Sequence, residues 1–572
     1  MSPAFYPSDL ILAKARLWYI DNVNDGDLMN KYFAIFSIAL VAAAALVGGL
    51  FGRLPSRTSA ESTVTDERIT ADYKEAVDVI DQSYAGKVDH EKITNMSMQA
   101  MLWTLDPHSS FFTRDEFRKL DEEQSSQFYG IGVSILQHRD GVYVQSVVPN
   151  TPADKAGLRY GDRFVTVAGR EAKDWTSAEV SKNVRGTGGT SVKVKIDRVG
   201  APAPLDFEIV RGGVPLPSIR NSFMLPNGIG YVGLTGGFQQ TTAEELSLAV
   251  ADLKKHGMKS LILDLRGNPG GILEQAIAVV SKFVQGGQTV VSVKGSKTGP
   301  ARELRATGGS VEDCPLVVMI NSGSASASEI VAGAIQDYDR GLIIGSDSFG
   351  KGLVQRVFHL PYGTGLTLTT ARYYTPFGRS LQRDYSSGSI YDYYTHGEDQ
   401  PDNAQLDVKP KPAGSPVTAA NGRVLYGGRG IEPDVVIPTP TPQPARGRIN
   451  ESAFFFVRQL VSGKVAGLEN FKVEKQSFKQ TLQPNEFGID DRIFAAFRTF
   501  ATADKVNGLT ADNVNSQVDY AKTRLREELA TANYSTEAGV QVLLESDPQI
   551  LKAIESMAQA ARLVETSGIA RG

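Results

Sequence analysis

The sequence predicts an α/β protein whose mostly buried sheet follows a small β-rich module and precedes a helical region. Between residues 228 and 380, nearly continuous apolar strands such as IGYVGL and CPLVVMIN alternate with helical runs, which is typical of a sheet covered by helices. Residues 118–212 contain short strands punctuated by glycines, which indicates a separate β module. Residues 448–572 carry apolar positions at helical spacing, which predicts a C-terminal helical domain.

Length and composition restrict the possible architectures. At 572 residues the chain is too long for one hydrophobic core, so we expect three or more domains. The net charge of -4 gives no basic surface of the kind that binds nucleic acid, and we predict no nucleic-acid partner. Cys314 is the single cysteine, which excludes an internal disulfide, and its apolar surroundings predict a buried structural thiol.

Residues 32–52 form an uncharged apolar run that predicts a membrane anchor in the lipid bilayer. Its twenty-one residues, at the helical rise of about 1.5 Å each, would cover roughly 30 Å of hydrocarbon. The preceding residues 1–31 are too long and too acidic for an ordinary signal-peptide start, which favours an anchor over a cleaved signal. Cleavage stays open, because small residues at 42–45 would permit it.

Breaks in composition and periodicity predict the domain boundaries. We expect a polar segment over 1–31, the anchor over 32–52, a linker over 53–65, a helical region over 66–117, the β module over 118–212, the α/β core over 213–437, a proline-rich extended linker over 438–447 and the helical domain over 448–572.

The stretch GSDSFGKG at 345–352 fits three chemistries. A phosphate-binding loop requires Ser or Thr directly after Lys351, but Gly352 stands there, and the following LVQRVFHLP predicts a strand where that loop opens a helix. An SxxK enzyme would use Ser348, but its KTG element must follow, whereas KTG occurs earlier, at 297–299. The third possibility makes Lys351 the general base for a serine elsewhere in the chain.

The segment NSGSASASEIVAGAIQD at 321–337 supplies a candidate serine. Small residues lead directly into a predicted helix, where the first backbone N–H groups are unpaired and can stabilise an oxyanion. Glu329, one turn into this helix, suits a capping role. A serine-rich cap and a solvated lysine are each the commoner use of such sequence, so the combination of the two carries the functional hypothesis.

Six blocks, in this order along the chain, resemble the carboxyl-terminal processing proteases, also called tail-specific proteases. The blocks are LDPHSSFF at 105–112, DLRGNPGG at 264–271, SASASEIVAGAIQD at 324–337, FGKGLVQ at 349–355, LTTARYYTPFGRS at 368–380 and GIEPD at 430–434. The resemblance implies a serine endopeptidase with a crotonase-like (ClpP/crotonase-type) core and no cofactor or metal.

The resemblance also implies roles for individual residues. Ser326 would be the nucleophile, Lys351 the base and Gln355 a polar group that assists the lysine. The implied oxyanion donors are Ala327 and Gly271, with Gly270 as the near alternative, and Glu329 and Asp337 are possible supporting residues. Lysine acts as a base only when neutral, which requires its pKa to fall from about 10.4 to about 7, at a cost of about 4 kcal/mol that burial can supply.

The β module is similar to a PDZ domain, which this family carries before its catalytic core. In FYGIGV, the backbone N–H groups of Gly130, Ile131, Gly132 and Val133 would bind a peptide carboxylate while the peptide adds a strand. The expected ligand is a flexible or unfolded protein C-terminal tail that ends in apolar residues.

Two hypotheses follow: a PDZ-containing serine endopeptidase and, as the alternative, a catalytically inactive PDZ scaffold. By analogy with the family, the first predicts a single-pass protein of the bacterial inner membrane with its catalytic region in the periplasm. The C-terminal helices suggest a homo-oligomer or an adaptor as a further partner.

Overall fold

The computed structural model describes residues 66–124, 126–295, 301–385, 393–394, 414–438, 443–478 and 481–566. The chain divides after His90 into two units, and helix α1 (Asp66–Ser83) lies in the first of them. No helix in the described ranges is long and apolar enough to cross a bilayer. The anchor predicted over 32–52 lies outside these ranges.

The second unit begins with a short α–β segment that leads into the core. It contains α2 (His90–Trp103) apart from the first residue of that helix, strand β1 (Ser110–Phe112) and α3 (Arg114–Gln124). Helix α3 crosses the boundary that the sequence predicts at 118. The strands beyond it therefore start later, at β2 (Gln127–Gly130).

The β module has its own antiparallel sheet, in the order β3-β4-β5-β7-β8 with β6 paired to β5. Two short helices cover this sheet, and apolar side chains from both form a separate core. Among the described residues, strand β3 pairs with β4 alone, which makes it an edge of the sheet. The elements are β3 (Val133–His138), β4 (Gly141–Val147), α4 (Pro152–Ala156), β5 (Arg163–Val167), β6 (Arg170–Glu171), α5 (Ser177–Val184), β7 (Ser191–Asp197) and β8 (Leu205–Val210).

A two-stranded ribbon joins the module to the core. Strand β2 pairs antiparallel with β9 (Gly212–Pro215), so the chain enters and leaves the module through adjacent strands. This arrangement is that of a domain inserted into a larger one, as the sequence predicts.

The α/β core is built on a six-stranded sheet in the order β10-β11-β12-β15-β16-β21. The pair β10/β11 is antiparallel and the remaining pairs are parallel. Every residue of β11, β12, β15 and β16 is buried, because helices cover the sheet and the connections cross over it. The elements are β10 (Ile219–Leu225), β11 (Ile229–Leu234), α6 (Thr242–Lys255), β12 (Ser260–Asp264), α7 (Leu273–Val280), β15 (Leu316–Ile320), α8 (Ala327–Asp337), β16 (Leu342–Gly345) and β21 (Val435–Val436).

A second sheet lies beside this core and contains the 105–112 segment. Its order is β1-β18-β13-β14, with β17 paired to β18, and two further strands form a separate small hairpin. The LVQRVFH stretch is the extended strand that the sequence predicts. The strands are β13 (Thr289–Lys294), β14 (Arg302–Arg305), β17 (Leu353–His359), β18 (Gly365–Tyr374) and the hairpin pair β19 (Val417–Thr418) and β20 (Val424–Leu425).

The C-terminal region is helical, and part of it covers the sheet of the core. Leu544, Ile550 and Ala553 share a hydrophobic cluster with Ile262 and Val317 of the sheet. The helices are α9 (Pro444–Leu460), α10 (Asp491–Ala503), α11 (Ala511–Asn515), α12 (Val518–Asn533), α13 (Thr536–Glu545), α14 (Pro548–Glu555) and α15 (Met557–Thr566).

One predicted feature of this region is wrong. The sequence predicts that the extended linker runs to residue 447, but α9 already begins at Pro444. Proline is well suited to the first helical position, because its fixed φ matches the helix and its missing N–H would have had no partner there. Pro444 therefore starts the helix where the composition predicted extended chain.

Candidate active site

Ser326 lies in the turn between strand β15 and helix α8. Its backbone has φ 54° and ψ −111°, a conformation that side chains other than glycine rarely adopt. Such strain persists where the surrounding structure imposes it, and it is concentrated at functional sites. Here the constraint comes from buried neighbours on both sides and from a hydrogen bond of 2.7 Å that the Ser326 N–H donates to Glu329 Oε2.

Glu329 joins the serine turn to the loop that carries Lys351. Its Oε2 also accepts a hydrogen bond from the N–H of Lys351, at 2.9 Å. Its Oε1 accepts from the N–H of Gly350 and from the hydroxyl of Ser348, both at 2.6 Å. One carboxylate thus fixes the backbone at the two positions that the sequence assigns to catalysis.

The hydrogen bonds of Glu329 also indicate its charge. The side chain is fully buried, and burial raises its pKa above the ordinary glutamate value, although the surrounding hydrogen bonds act in the opposite direction. Three of the four partners are N–H groups, which can only donate. The fourth, the Ser348 hydroxyl, accepts from the N–H of Ile431 at 2.7 Å and is left to donate its own proton to Glu329. Four donors are the surroundings of an ionised carboxylate.

Ser348 has a structural position. Its side chain is 2% exposed, and its hydroxyl is held between Glu329 and Ile431. It does not line the cavity described below. These contacts do not favour the SxxK chemistry, which requires a reactive Ser348.

Lys351 is half-buried, and its pKa is lowered from the ordinary lysine value, chiefly by burial. The charges of Glu329 and Asp106 act in the opposite direction. The net direction is the one that a general base requires, because burial disfavours the ammonium form.

A cavity of about 1120 Å³ brings the predicted residues together. Ser326, Lys351, Gln355, Gly270 and Gly271 all line it. No hydrogen bond joins the Ser326 hydroxyl to the Lys351 amine in the described part of the chain. The two groups must therefore come within hydrogen-bonding distance of each other before a proton can pass between them.

The hydrogen bonding distinguishes the two glycines predicted as oxyanion donors. The N–H of Gly270 donates to Asn268 Oδ1 at 2.9 Å. The N–H groups of Gly271 and Ala327 have no acceptor among the described residues, which favours Gly271 over Gly270. Gly270 instead permits a close approach, because a Cβ there would lie 2.8 Å from Ser326 Cβ and 2.9 Å from the Ala327 nitrogen.

Gln355 is anchored to the 105–112 segment. It lies on β17 beside an irregularity in the pairing with β18, and its amide donates a hydrogen bond to the carbonyl of His108. The side-chain oxygen of Gln355 has no donor in the described residues. Gln355 is predicted to assist the lysine through a hydrogen bond. Its side-chain oxygen is available to accept that bond.

His108 is a neighbour of the site that no sequence pattern assigns to it. Burial, and next the charge of Lys351, lower the pKa of His108 to about 3, so the ring is neutral at ordinary pH. The ring nitrogen Nε2 lies 2.7 Å from the hydroxyl of Tyr393. The Asp106 carboxylate accepts from the N–H groups of His108 and Ser109, each at 2.8 Å. In the sequence, the one indication of this tight turn is the DPHSS stretch at 106–110.

Asp337 does not lie in the cavity lining. It is fully buried at the end of α8 and forms an ion pair with Arg379 at 2.6 Å. It also accepts from the N–H of Phe377 at 2.9 Å. Asp337 can therefore support the site only indirectly, by stabilising the C-terminal end of α8, the helix that begins beside Ser326.

The predicted peptide-binding loop lies at the start of edge strand β3. The carbonyls of Ile131 and Gly132 are occupied by the N–H groups of Ala153 and Val148, at 2.7 and 3.0 Å. The N–H groups of Ile131 and Gly132 have no acceptor within the described ranges. Gly132 has φ +88°, and a Cβ there would come 2.3 Å from the side chain of Thr151, so the loop requires glycine.

Comparison with known proteins identifies the family. Residues 228–393 match the model of peptidase family S41, and residues 130–209 match that of the PDZ domain. A carboxy-terminal-processing protease of Bartonella bacilliformis is 38% identical over 299 residues, which cover 51% of this chain and 68% of that protein. The chain belongs to the carboxy-terminal processing proteases.

A further curated relative agrees with this membership. The carboxy-terminal processing protease CtpA of Bacillus subtilis is 32% identical over 354 residues, 62% of this chain and 75% of its own. The solved photosystem II D1 C-terminal processing protease is 28% identical, covering 64% of this chain and 86% of that chain, with a TM-score of 0.33. As a carboxy-terminal processing protease, the protein is a serine-type peptidase with a PDZ domain.

Proposed function

We propose that this carboxy-terminal processing protease hydrolyses peptide bonds with Ser326 as nucleophile and Lys351 as general base. The observation that carries the proposal is the Glu329 carboxylate, which binds the backbone of both residues at the edge of one cavity. A catalytically inactive PDZ scaffold has no need for a strained serine, a half-buried lysine and an anion that links them.

The reaction begins with a neutral Lys351. Its amine takes the proton of the Ser326 hydroxyl as the oxygen attacks the carbonyl carbon of the substrate. The resulting oxyanion is stabilised by the N–H groups of Ala327 and Gly271. The Lys351 ammonium returns its proton to the leaving amine, and a water molecule, deprotonated by the same lysine, hydrolyses the acyl-enzyme. Gln355 accepts a hydrogen bond from the amine through its side-chain oxygen, while its amide stays bound to His108.

The PDZ domain selects the substrate by its C-terminus. An unfolded tail adds a strand to β3, and its carboxylate binds the unpaired N–H groups at 131–132. The sequence also predicts the flanking Gly130 and Val133 as part of this peptide-binding site. The tail then holds the polypeptide so that an internal segment enters the cavity.

Cleavage and tail binding can be tested separately with the purified chain from residue 53 onward and an unstructured protein that ends in apolar residues. Ser326→Ala and Lys351→Ala should each remove cleavage and keep tail binding. Ser322→Ala, an exposed serine in the same turn, is the matched control and should cleave normally. Turnover by the Ser326→Ala protein would disprove the assignment, and binding without cleavage by the unchanged protein would favour the scaffold.

We propose further that residues 32–52 anchor the protein in the bacterial inner membrane, with the catalytic region in the periplasm. The support is the uncharged twenty-one-residue run itself. The full chain should stay in the membrane fraction after alkaline extraction, and alkaline phosphatase fused after residue 65 should be active. A soluble full-length protein, or an inactive fusion, would contradict this localisation.

A further inference from the structure

The lining of the active-site cavity is rich in arginine. Four arginines contribute to it: Arg185, Arg220, Arg302 and Arg356. Glu274 is the one carboxylate among the described lining residues. The whole chain carries a net charge of -4, so the positive surplus is a property of this cavity and not of the protein as a whole.

None of the four arginines forms an ion pair with a carboxylate in the described part of the chain. Arg185 lies 4.0 Å from the ring of Phe128, and Arg356 lies 5.5 Å from the ring of Phe358. Other arginines of the same core are paired, such as Arg266 with Asp264 and Arg379 with Asp337. The guanidinium groups at the cavity thus keep their capacity to bind an anion from outside.

The four residues come from different elements around Ser326. Arg220 lies on β10 and Arg356 on β17, next to Gln355, while Arg302 lies on β14 and Arg185 directly follows α5 of the PDZ domain. Charges of one sign that surround a cleft reinforce one another, because the low-dielectric walls concentrate the field. An extended polypeptide that reaches Ser326 passes through this field.

We propose that the cavity selects substrates whose cleaved segment carries Asp or Glu side chains. This inference rests on the proposed function and adds a substrate class to it. The PDZ domain binds the apolar end of the tail, and the arginines bind acidic residues near the scissile bond. Carboxylates on the substrate are the groups that guanidinium binds in bidentate fashion. Exposed pairs of this kind depend on salt, because ions screen them over about 8 Å at physiological ionic strength.

The test uses three unstructured substrates with the same length and the same apolar C-terminus. The first carries Glu at two positions of the cleaved segment, the second carries Gln there, and the third moves the two Glu residues into the last six positions of the tail. The acidic first substrate should have the highest kcat/KM, by about 5-fold over the second, and this preference should fall towards unity in 0.5 M NaCl. The kcat/KM of the third substrate should equal that of the second.

Two variants assign the effect. Arg302→Gln and Arg356→Gln should each reduce the ratio of the first to the second substrate by about 2- to 5-fold, the size expected for exposed ion pairs. Lys505→Gln, an exposed charge that does not line the cavity, is the control and should keep the ratio. Because the ratio compares kcat/KM for two substrates with the same variant, a general loss of activity or of folded protein does not affect it.

Two results would overturn the inference: equal kcat/KM for the Glu and Gln substrates, or a preference that survives both high salt and the loss of both arginines. Either would leave the proposed function intact, because the Gln substrate is still cleaved. Failure to cleave any of the three substrates would instead contradict the proposed function.

Discussion

Glu329 and Lys351 are joined by a hydrogen bond of 2.9 Å between the glutamate Oε2 and the lysine N–H. The same oxygen accepts from the N–H of Ser326, so the backbones of the proposed nucleophile and base are fixed to a single atom. The carboxylate acts on the position of the two residues, because its contacts are with their main chain. Any substitution that weakens the hydrogen bonds of the Glu329 carboxylate should therefore displace both Ser326 and Lys351.

Glu329→Gln should reduce both activity and stability. The amide offers one acceptor oxygen and places an NH₂ group against N–H donors, which leaves at least one buried N–H unsatisfied at a cost of about 1–3 kcal/mol. Misplacement of the reacting groups should lower kcat by roughly 100-fold. Urea unfolding and kcat measure the two effects.

Glu179→Gln is the matched control for that substitution. Glu179 occupies the same capping position in helix α5, accepting from the N–H of Thr176 at 2.7 Å, but it is exposed and lies in the PDZ domain. Glutamine also serves in a capping box, so this variant should keep normal kcat and stability. Equal behaviour of the two variants would show that Glu329 is an ordinary helix cap.

The activity should rise with pH along a limb that belongs to Lys351. Burial lowers the pKa of Lys351 below its usual 10.5, and a base must be neutral, so kcat/KM should increase as the ammonium loses its proton. His108 cannot produce this limb, because its pKa is lowered to about 3. A pH profile of kcat/KM checks the sign, and a midpoint at or above 10.5 would show that burial does not prepare the lysine.

Asp337→Asn should destabilise the protein without altering the chemistry of the folded fraction. The change leaves Arg379, 2% exposed, as a buried charge without its partner, at a cost of about 3–5 kcal/mol. The pH profile of kcat/KM should keep the midpoint of the unchanged protein. A shifted midpoint with unchanged stability would make Asp337 part of the proton transfer after all.

Tyr160→Phe should loosen the PDZ domain from the C-terminal helices. The Tyr160 hydroxyl donates at 2.7 Å to Glu528 of α12, and both side chains are buried. Removing the donor leaves a buried acceptor unsatisfied and should cost about 1–3 kcal/mol in urea unfolding. Tyr129→Phe is the control and should have no effect, because Tyr129 is 47% exposed. Equal stability of both variants would mean that the Glu528 contact contributes nothing.

The sequence predicted those elements whose patterns are local. The strand–helix alternation, the glycine-punctuated module and the extended strand after Lys351 are each visible in a window of a few residues. The start of α9 at Pro444 does not follow from the sequence pattern, because a proline-rich composition predicts extended chain. The helical region predicted over 66–117 likewise does not separate α1 from α2.

The contacts of the site could be predicted only in part. The resemblance named Ser326 and Lys351, but no spacing in the sequence reveals that Glu329 binds the backbone of both. Gln355 and His108 are 247 positions apart, and their hydrogen bond depends on the pairing of β1 with β18. The choice between Gly270 and Gly271 rests on Asn268, whose side chain occupies one of the two N–H groups. These hydrogen bonds depend on how the chain folds, so they become apparent only in the folded structure.

The most direct test is the reaction of the protein with a fluorophosphonate, followed by mass spectrometry of the modified peptide. We expect one adduct on Ser326, formed at a rate that increases with pH, and we expect Lys351→Ala to slow its formation at least 100-fold. An adduct on another serine, or labelling of Ser326 at the same rate without the lysine amine, would contradict the account.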